Sequence, residues 1–291
     1  MATKKRNPIW LCTAGLILTL LATLLCSCGR TQVRRQDLRV MSYNILHGEG
    51  LDGRLDLGRT AEVISLANAD VVGLNEVDNN YSDRSRFLDE AKWLADELGM
   101  YYVYGWNLSS GDPQKPHLYG NAILSRYPIK SWKNHHLYRH QEDEQRGCVH
   151  ADIVIGGTEF TFAVTHLDHQ SQQARLGQVK DILEILKPIE RNIVLMGDFN
   201  CKSSEDTHDG SAESTRPIAM VMERFEDCFL IAGSGPGGTS ASGSRIDYIF
   251  VSPDLAGKIQ SCSVLRTPLT AVASDHLPVI ADIAISKTKT Q

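Results

Sequence analysis

Short apolar runs recur along the chain, and several of them begin or end at a residue that can bind a metal or move a proton. Such runs, bounded by turn residues, are typical of buried strands. Polar side chains at strand ends from distant parts of a chain are how an α/β active site is commonly assembled. The pattern therefore predicts a sheet-based fold with a polar site, whose candidate residues are Asn44, Glu76, His166, Asp198, Asn200, Asp247, Asp275 and His276.

The spacing of apolar residues predicts many strands and few intervening helices, which favours two sheets packed face to face and covered by helices. Helical spacing occurs over residues 57–67, 87–98 and 170–186. Loops are predicted over 203–215 and 233–244, beside the polar segments, where substrate-selecting loops often lie. The predicted strands are 38–45, 70–75, 121–125, 148–155, 160–165, 192–196, 246–251, 258–264 and 278–285.

The composition is that of a globular protein, with 291 residues, 42% hydrophobic and 22% charged. The formal net charge is −5, and it becomes −8 if a leader carrying the three basic residues Lys4, Lys5 and Arg6 is removed. An acidic balance argues against nucleic-acid binding through bulk positive charge, although it is compatible with a local basic site.

The first residues have the pattern of a targeting segment, because a basic start precedes an apolar stretch over 9–25. The following Leu25-Cys26-Ser27-Cys28 resembles a bacterial lipobox, with an atypical cysteine before the serine. We therefore expect a signal peptide over 1–27, a lipidated Cys28, a tether over 28–37, one domain over 38–286 and a tail over 287–291. Acylation would anchor a monomer to a membrane of the bacterial cell envelope. An uncleaved helix and ordinary secretion are the alternatives.

Four cysteines remain outside the targeting segment: Cys148, Cys201, Cys228 and Cys262. They show no CxxC pattern and no Cys/His metal spacing, so a zinc site is not predicted. An exported protein can form disulfides, but isolated buried thiols are the simpler interpretation.

Seven segments resemble one superfamily in the order in which they occur. They are MSYN (41–44), LNEV (74–77), GNAILSR (120–126), THL (165–167), GDFN (197–200), RIDYIF (245–250) and SDHLP (274–278). Together they resemble the endonuclease/exonuclease/phosphatase superfamily, which includes DNase I, apurinic endonucleases, neutral sphingomyelinases, inositol polyphosphate 5-phosphatases and deadenylases. The resemblance covers residues 38–286 and implies an α/β fold, the DNase I-like four-layer sandwich of two mainly antiparallel sheets flanked by helices.

The resemblance also implies a divalent-metal phosphoesterase. Glu76 and Asp275 offer carboxylate oxygens and Asn44 a neutral oxygen, and such ligands suit Mg²⁺ or Mn²⁺ rather than zinc. The metal would polarise a phosphoryl oxygen and stabilise the leaving oxygen.

The catalytic roles are likewise implied by the resemblance. Asp198 would orient and deprotonate the attacking water, and Asn200 would hold that water or a phosphate oxygen. His166 and His276 would donate hydrogen bonds to non-bridging oxygens, where charge builds in the transition state. Asp247 would pair with His276, which raises the pKa of the imidazole and fixes its tautomer.

Three further residues are candidate substrate-binding groups. Asn121 is placed to orient His166, which is a looser match to the family. Arg146 is a candidate phosphate contact, with a surface ion pair as the equal alternative. Arg84, or its neighbour Arg86, is a candidate anion contact, with a solvated helix start as the alternative.

The substrate class is constrained by departures from individual branches of the family. Asp78 stands where DNase I-like enzymes place an arginine for DNA, and the Trp-Cys-Asp-Arg segment of the inositol phosphatases is missing. Segments 47–53 and 83–85 are similar to small exported bacterial members and to glycosylphosphatidylinositol-lipid remodelling proteins. These features favour a phospholipid-type or small organic phosphodiester. The alternatives are an exported nuclease and a non-catalytic ligand-binding lipoprotein.

Overall fold

The computed structural model describes residues 37–206 and 214–285. The predicted signal peptide, Cys28, the tether before Asp37, the tail and part of the 203–215 loop lie outside the described residues. Within the described part every helix is too short or too polar to cross a bilayer.

The described strands form two sheets. One sheet has seven strands in the order β10-β12-β13-β1-β2-β4-β3, and the other has six in the order β5-β6-β7-β8-β11-β9. The bounds are β1 (Asp37–Asn44), β2 (Val71–Asn79), β3 (Tyr101–Asp112), β4 (Lys115–Ser125), β5 (Ile129–His136), β6 (Gly147–Ile155), β7 (Thr158–His166), β8 (Ile193–Asp198), β9 (Glu226–Asp227), β10 (Gly233–Ser234), β11 (Asp247–Val251), β12 (Ile259–Val264) and β13 (Val279–Ala284).

Both sheets are mixed but mainly antiparallel. Parallel pairs join β1 to β2, β10 to β12, and β7 to β8. The inner faces of the sheets meet in a buried apolar cluster that includes Val40, Val164 and Met196. At Gly73 the sheets approach so closely that an added Cβ would lie 2.6 Å from the Val164 side chain. The predicted α/β sandwich is therefore confirmed.

Helices cover both outer faces. The helices α1 and α2 pack on the seven-stranded sheet and bury one apolar cluster with it. The helices α3 and α4 pack on the six-stranded sheet and bury a second apolar cluster. The bounds are α1 (Leu57–Ala67), α2 (Glu90–Leu98), α3 (Gln172–Leu186), α4 (Arg216–Met222), α5 (Cys228–Ala232), α6 (Pro253–Ala256) and α7 (Thr270–Ala273).

Two predicted helix starts need correction. The helix predicted from residue 87 begins at Glu90, because Arg86 and Phe87 adopt left-handed backbone angles and Asp89 caps the first turn. The helix predicted from residue 170 begins at Gln172, because the Ser171 hydroxyl accepts from the third residue of the helix as a cap.

The strands β3 and β5 were not predicted, and neither were the short helices α4 to α7. Both strands lie at the edge of a sheet and expose most of their residues. The described cysteines Cys148, Cys201, Cys228 and Cys262 are free and buried.

Candidate active site

The predicted polar residues meet at one end of the sandwich because of strand direction and register. The parallel strands β7 and β8 end together, which places His166 opposite Asp198. The antiparallel β11 begins at the same edge, which places Asp247 opposite Asp198. The two sheets are joined there by the Asn44 carboxamide, whose Nδ2 donates to Asp198 Oδ2 over 3.2 Å.

Gly197 allows β7 and β8 to approach at this edge. Its φ of 140° lies outside the range that other residues adopt readily, and an added Cβ would lie 1.8 Å from the Thr165 carbonyl oxygen. A side chain at this position would therefore separate the strands that carry His166 and Asp198.

Glu76 occupies a strained position in β2. Its φ is 57°, and the pairing of β2 with β4 is irregular between Leu74 and Val77. A left-handed non-glycine residue costs about 1–3 kcal/mol, and such strain clusters at functional sites. The irregularity directs the side chain to the end of the sheet, where Glu76 Oε1 accepts from Asn44 Nδ2 over 3.0 Å.

Asp198 lies at the centre of the site and is buried. Its Oδ1 accepts from the Asn200 backbone N–H over 2.9 Å, and Asn200 has a φ of 49°. Its Oδ2 lies 3.5 Å from His166 Nε2 and 3.7 Å from His276 Nε2. Burial and the nearby Asp247 carboxylate raise the pKa of Asp198 to about 7. A carboxylate with a pKa near neutrality is suited to accept a proton from water.

His276 is held by a carboxylate. Its Nδ1 donates to Asp247 Oδ2 over 2.7 Å, which leaves Nε2 facing Asp198. Burial alone would lower the pKa of His276, but Asp247 and Asp198 outweigh burial and raise it to about 10. The imidazole is therefore protonated at neutral pH.

His166 has a cation, rather than a carboxylate, next to its Nδ1. Its Nδ1 lies 3.2 Å from Nη1 of the buried Arg146, and its Nε2 lies 3.0 Å from Asn200 Nδ2. Burial, and then the charge of Arg146, lower the pKa of His166 well below its usual value. The two histidines of the site therefore differ in charge at neutral pH.

Asn121 makes no hydrogen bond to His166 among the described residues, contrary to the prediction. It is buried, accepts from Asn75 Nδ2 over 2.9 Å and donates to the Gly147 carbonyl over 3.2 Å. The prediction failed because Arg146 occupies the position behind the imidazole.

Asn75 was missed by the sequence analysis. Its side chain donates to the Thr165 carbonyl over 2.9 Å and accepts from the Asp198 backbone N–H over 3.0 Å. It therefore ties β2 to the catalytic ends of β7 and β8. An asparagine within an apolar strand, next to the predicted ligand Glu76, was the available signal.

Both candidate arginines have protein partners. Arg146 also contacts Glu144 over 2.9 Å and His169 Nδ1 over 3.1 Å. Arg84 makes two hydrogen bonds, of 2.7 and 2.9 Å, to the fully buried Asp78.

The donor set fits a hard divalent cation. Ser274 Oγ donates to the Asn44 carbonyl over 2.8 Å, which ties the residue before Asp275 to the end of β1. Glu76 and Asp275 then offer carboxylate oxygens near this strand end. The Asn44 amide turns its Nδ2 toward Glu76 and Asp198, while its Oδ1 accepts from the Leu46 N–H over 3.1 Å. The amide would therefore have to rotate to turn its oxygen toward a cation beside Glu76.

A second acidic group lies beside these residues. Ligand atoms of Asp198, Asp247 and His276 all lie within 4.8 Å of one another, and Asp247 Oδ1 has no hydrogen-bond partner among the described residues. His276 Nδ1 already donates to Asp247 Oδ2 over 2.7 Å, so this group also has the contacts of a hydrogen-bonded triad.

Known proteins are similar to this chain in sequence and in fold. The model of the Endonuclease/Exonuclease/phosphatase family matches residues 41–276. The chain is 26% identical over 270 residues to Escherichia coli YbhP, covering 87% of this chain and 98% of that protein.

Solved structures are similar in fold. A Beutenbergia cavernae protein of that description aligns with a TM-score of 0.73 and 24% identity, over 87% of this chain and 72% of that chain. A Bacteroides thetaiotaomicron mannosyl-6-phosphatase aligns with a TM-score of 0.65 and 23% identity, over 85% of this chain and 100% of that chain.

Proposed function

Because the chain belongs to the endonuclease/exonuclease/phosphatase family of hydrolases, we propose that it is a divalent-metal phosphodiesterase. The bond it hydrolyses is in a phospholipid-type or small organic phosphodiester. The observation that carries the proposal is the buried Asp198, whose Oδ2 lies 3.5 Å from His166 Nε2 and 3.7 Å from His276 Nε2. Arg146 lies behind the first imidazole and Asp247 behind the second.

Each residue has a role that its contacts support. Asp198 accepts the proton of the attacking water, and the Asn200 side chain positions that water or a phosphate oxygen. His276 is protonated and held by Asp247, so it donates to a non-bridging oxygen as negative charge grows. His166 donates to the same phosphate from the other side.

Glu76 and Asp275, with Asn44 after rotation of its amide, are the residues that would hold Mg²⁺ or Mn²⁺. The cation, when bound, supplies Lewis-acid stabilisation of phosphate charge.

Exposed apolar side chains on two segments that adjoin site residues along the chain support a lipid-like or partly apolar substrate. Leu51, on the loop after β1, is 57% exposed, and Val272, just before Asp275, is 42% exposed. The Leu51 N–H donates to the Val272 carbonyl over 3.0 Å, so these residues are neighbours. We call this pair the apolar rim.

The segment after Glu76 argues against the nuclease alternative. Asp78 is completely buried and paired with Arg84, so this pair offers no unpaired positive charge to a DNA backbone. A nuclease depends on several phosphate contacts from basic side chains.

Turnover of bis(p-nitrophenyl) phosphate tests the reaction. We expect the full-length chain in detergent to hydrolyse it with Mg²⁺ or Mn²⁺ and to stop when a chelator is added. Asp198→Asn should lack turnover, while Asp152→Asn, toward the far end of β6, should retain it. Turnover that is unaffected by chelator would contradict the metal requirement.

A substrate panel tests the choice of ester. Phospholipid vesicles, glycerophosphodiesters, p-nitrophenyl phosphate and plasmid DNA would be compared under the same conditions. Metal-dependent cleavage of DNA without cleavage of lipid or small diesters would refute the proposed substrate class and favour the nuclease. Cleavage of p-nitrophenyl phosphate alone would show that the chain is a phosphatase and not a phosphodiesterase.

We also propose lipid attachment at Cys28, on the basis of its lipobox-like sequence. Metabolic labelling with a radioactive fatty acid should mark the wild-type chain and not Cys28→Ser. Equal labelling of both would exclude this cysteine as the acceptor.

A further inference from the structure

We propose that Arg146 is a positioning residue that holds His166 in the neutral tautomer with its proton on Nε2. His166 is thereby a fixed hydrogen-bond donor on one side of the site. The catalytic consequence rests on the proposed phosphoesterase function, whereas the tautomer itself does not.

The chemistry of the guanidinium determines which imidazole nitrogen is protonated. A guanidinium only donates, and Nη1 of Arg146 lies 3.2 Å from His166 Nδ1. Nδ1 must therefore offer its lone pair, so that the hydrogen of the neutral ring is on Nε2.

Asn200 competes for the same ring. Its Nδ2 lies 3.0 Å from His166 Nε2 and also donates to the Leu167 carbonyl over 3.0 Å. A neutral imidazole has one lone pair in its plane, so it cannot accept from both neighbours. Hydrogen bonds from charged donors are stronger, which favours Arg146. Asp198 Oδ2 then lies 3.5 Å from the protonated Nε2.

Arg146 is enclosed rather than open to substrate. It is 3% exposed, and its terminal nitrogens contact His166, Glu144 and His169. Its backbone carbonyl accepts from the Leu137 N–H over 2.9 Å and from the side chain of Gln145 over 2.8 Å. These contacts fix both ends of the residue, so it acts on substrate only through His166.

The two histidines of the site are thereby given different tasks. Asp247 behind His276 stabilises a protonated ring, while Arg146 behind His166 stabilises a neutral one. A neutral Nε2–H donates to a phosphoryl oxygen and keeps its hydrogen. His166 is therefore a donor in this chain and not a proton carrier.

Nitrogen NMR of the full-length chain in detergent micelles, labelled with ¹⁵N-histidine, tests the tautomer directly. The His166 signals are identified by their loss in His166→Asn. In wild type we expect an unprotonated Nδ1 and a protonated Nε2. A wild-type ring with its proton on Nδ1 would overturn the proposal, even if no Arg146 variant folds.

Variants of Arg146 distinguish a positioning role of this residue from a purely structural role. Arg146→Met should release the tautomer to a mixture or to Nδ1–H, whereas Arg146→Lys, which also only donates, should restore the wild-type form. Arg126→Met is the control, because Arg126 directly follows the end of β4 that pairs with the start of β2, away from the site. It should leave the His166 signals unchanged. Wild-type signals in a folded Arg146→Met would equally overturn the proposal.

Kinetics complete the test. On bis(p-nitrophenyl) phosphate, Arg146→Met should lower kcat on the order of 10²-fold, as for loss of a transition-state donor, with KM within about threefold. A raised KM with unchanged kcat would mean direct contact with substrate. If wild type shows no turnover, the proposed function fails, and NMR still decides the positioning of His166.

Discussion

Two buried polar networks begin two residues apart, at the start of the same strand. Arg245 donates to Asp227 over 2.6 Å and to Asp206 over 3.0 and 3.1 Å, and its guanidinium lies 4.6 Å from the centre of the Tyr248 ring. Asp247 has one oxygen bonded to His276 and the other without a partner among the described residues.

The difference lies in how charge is compensated. Around Arg245, two carboxylates share one guanidinium but both contact it at hydrogen-bond distance, and both oxygens of Asp227 have partners, which is the arrangement expected of a structural ion network. Around Asp247, two carboxylates share one imidazolium, but Asp198 Oδ2 lies 3.7 Å from His276 Nε2 and Asp247 Oδ1 has no partner among the described residues. Burial and the Asp247 carboxylate then raise the pKa of Asp198. Incomplete compensation lowers stability but leaves groups able to take up a proton or a cation. The first network therefore serves the fold and the second serves chemistry.

Asp198→Asn should break the second network with the largest effect. Loss of a general base is expected to reduce kcat by about 10²–10⁴-fold, measured on bis(p-nitrophenyl) phosphate. Stability in urea should be unchanged or higher, since a buried carboxylate next to Asp247 is removed. A strongly destabilised variant would show that this network also supports the fold.

Arg245→Met should break the first network. It leaves Asp227 buried without its cation, so we expect the free energy of unfolding to fall by about 3–5 kcal/mol in urea denaturation. The matched control is Arg39→Met, because the Arg39–Asp282 pair is partly exposed and is expected to contribute about 0–1 kcal/mol. Equal losses for the two variants would contradict the distinction.

The apolar rim provides a smaller test at the edge of the site. The double variant Leu51→Ser with Val272→Ser should reduce activity on phospholipid vesicles about tenfold, an effect of about 1.4 kcal/mol, and should spare bis(p-nitrophenyl) phosphate. Leu66→Ser with Val154→Ser, two exposed positions away from the site, is the control. A loss on both substrates would assign the rim a structural role.

Glu90 offers the test with the smallest expected effect, because only one of the two oxygens of this buried carboxyl has a hydrogen-bond partner among the described residues. Its Oε2 accepts from the Asp78 N–H over 2.8 Å, while Oε1 has no partner among the described residues. Burial raises the pKa of Glu90 from 4.5 to about 9. Its stabilising contribution is therefore full below pH 4.5 and is lost progressively as the pH rises to about 9.

Glu90→Gln removes this titration. Its stability relative to wild type should increase between pH 6 and pH 8, by about 1 kcal/mol or more, in urea unfolding curves. A difference that stays constant with pH would show that Glu90 has an ordinary pKa in the folded protein.

Local signals explain which elements the sequence predicts. The bounds of α1 match the prediction, because its apolar spacing coincides with a cap by Asp56 and a left-handed Asn68 at its end. The strands that carry the site are apolar runs buried on both faces. By contrast, β3 and β5 are edge strands whose exposed residues, such as Ser109 and Lys133, give no apolar alternation.

The site was predictable as a set of residues but not as a network. The motifs identify Asp198, Asp247 and His276 one by one, whereas their contacts depend on register between strands distant in sequence. Arg146 behind His166, and Asn75 between β2 and the ends of β7 and β8, follow from packing across both sheets. No spacing along the chain encodes either contact.

The direction of β1 determines how a tethered molecule would face its surroundings. Asp37 begins this strand, and Asn44 ends it in the site, so the two lie about 23 Å apart at the rise of a β-strand. A support attached at Asp37 itself would therefore hold the domain at the end of β1 remote from the catalytic mouth, and products would leave without passing the point of attachment.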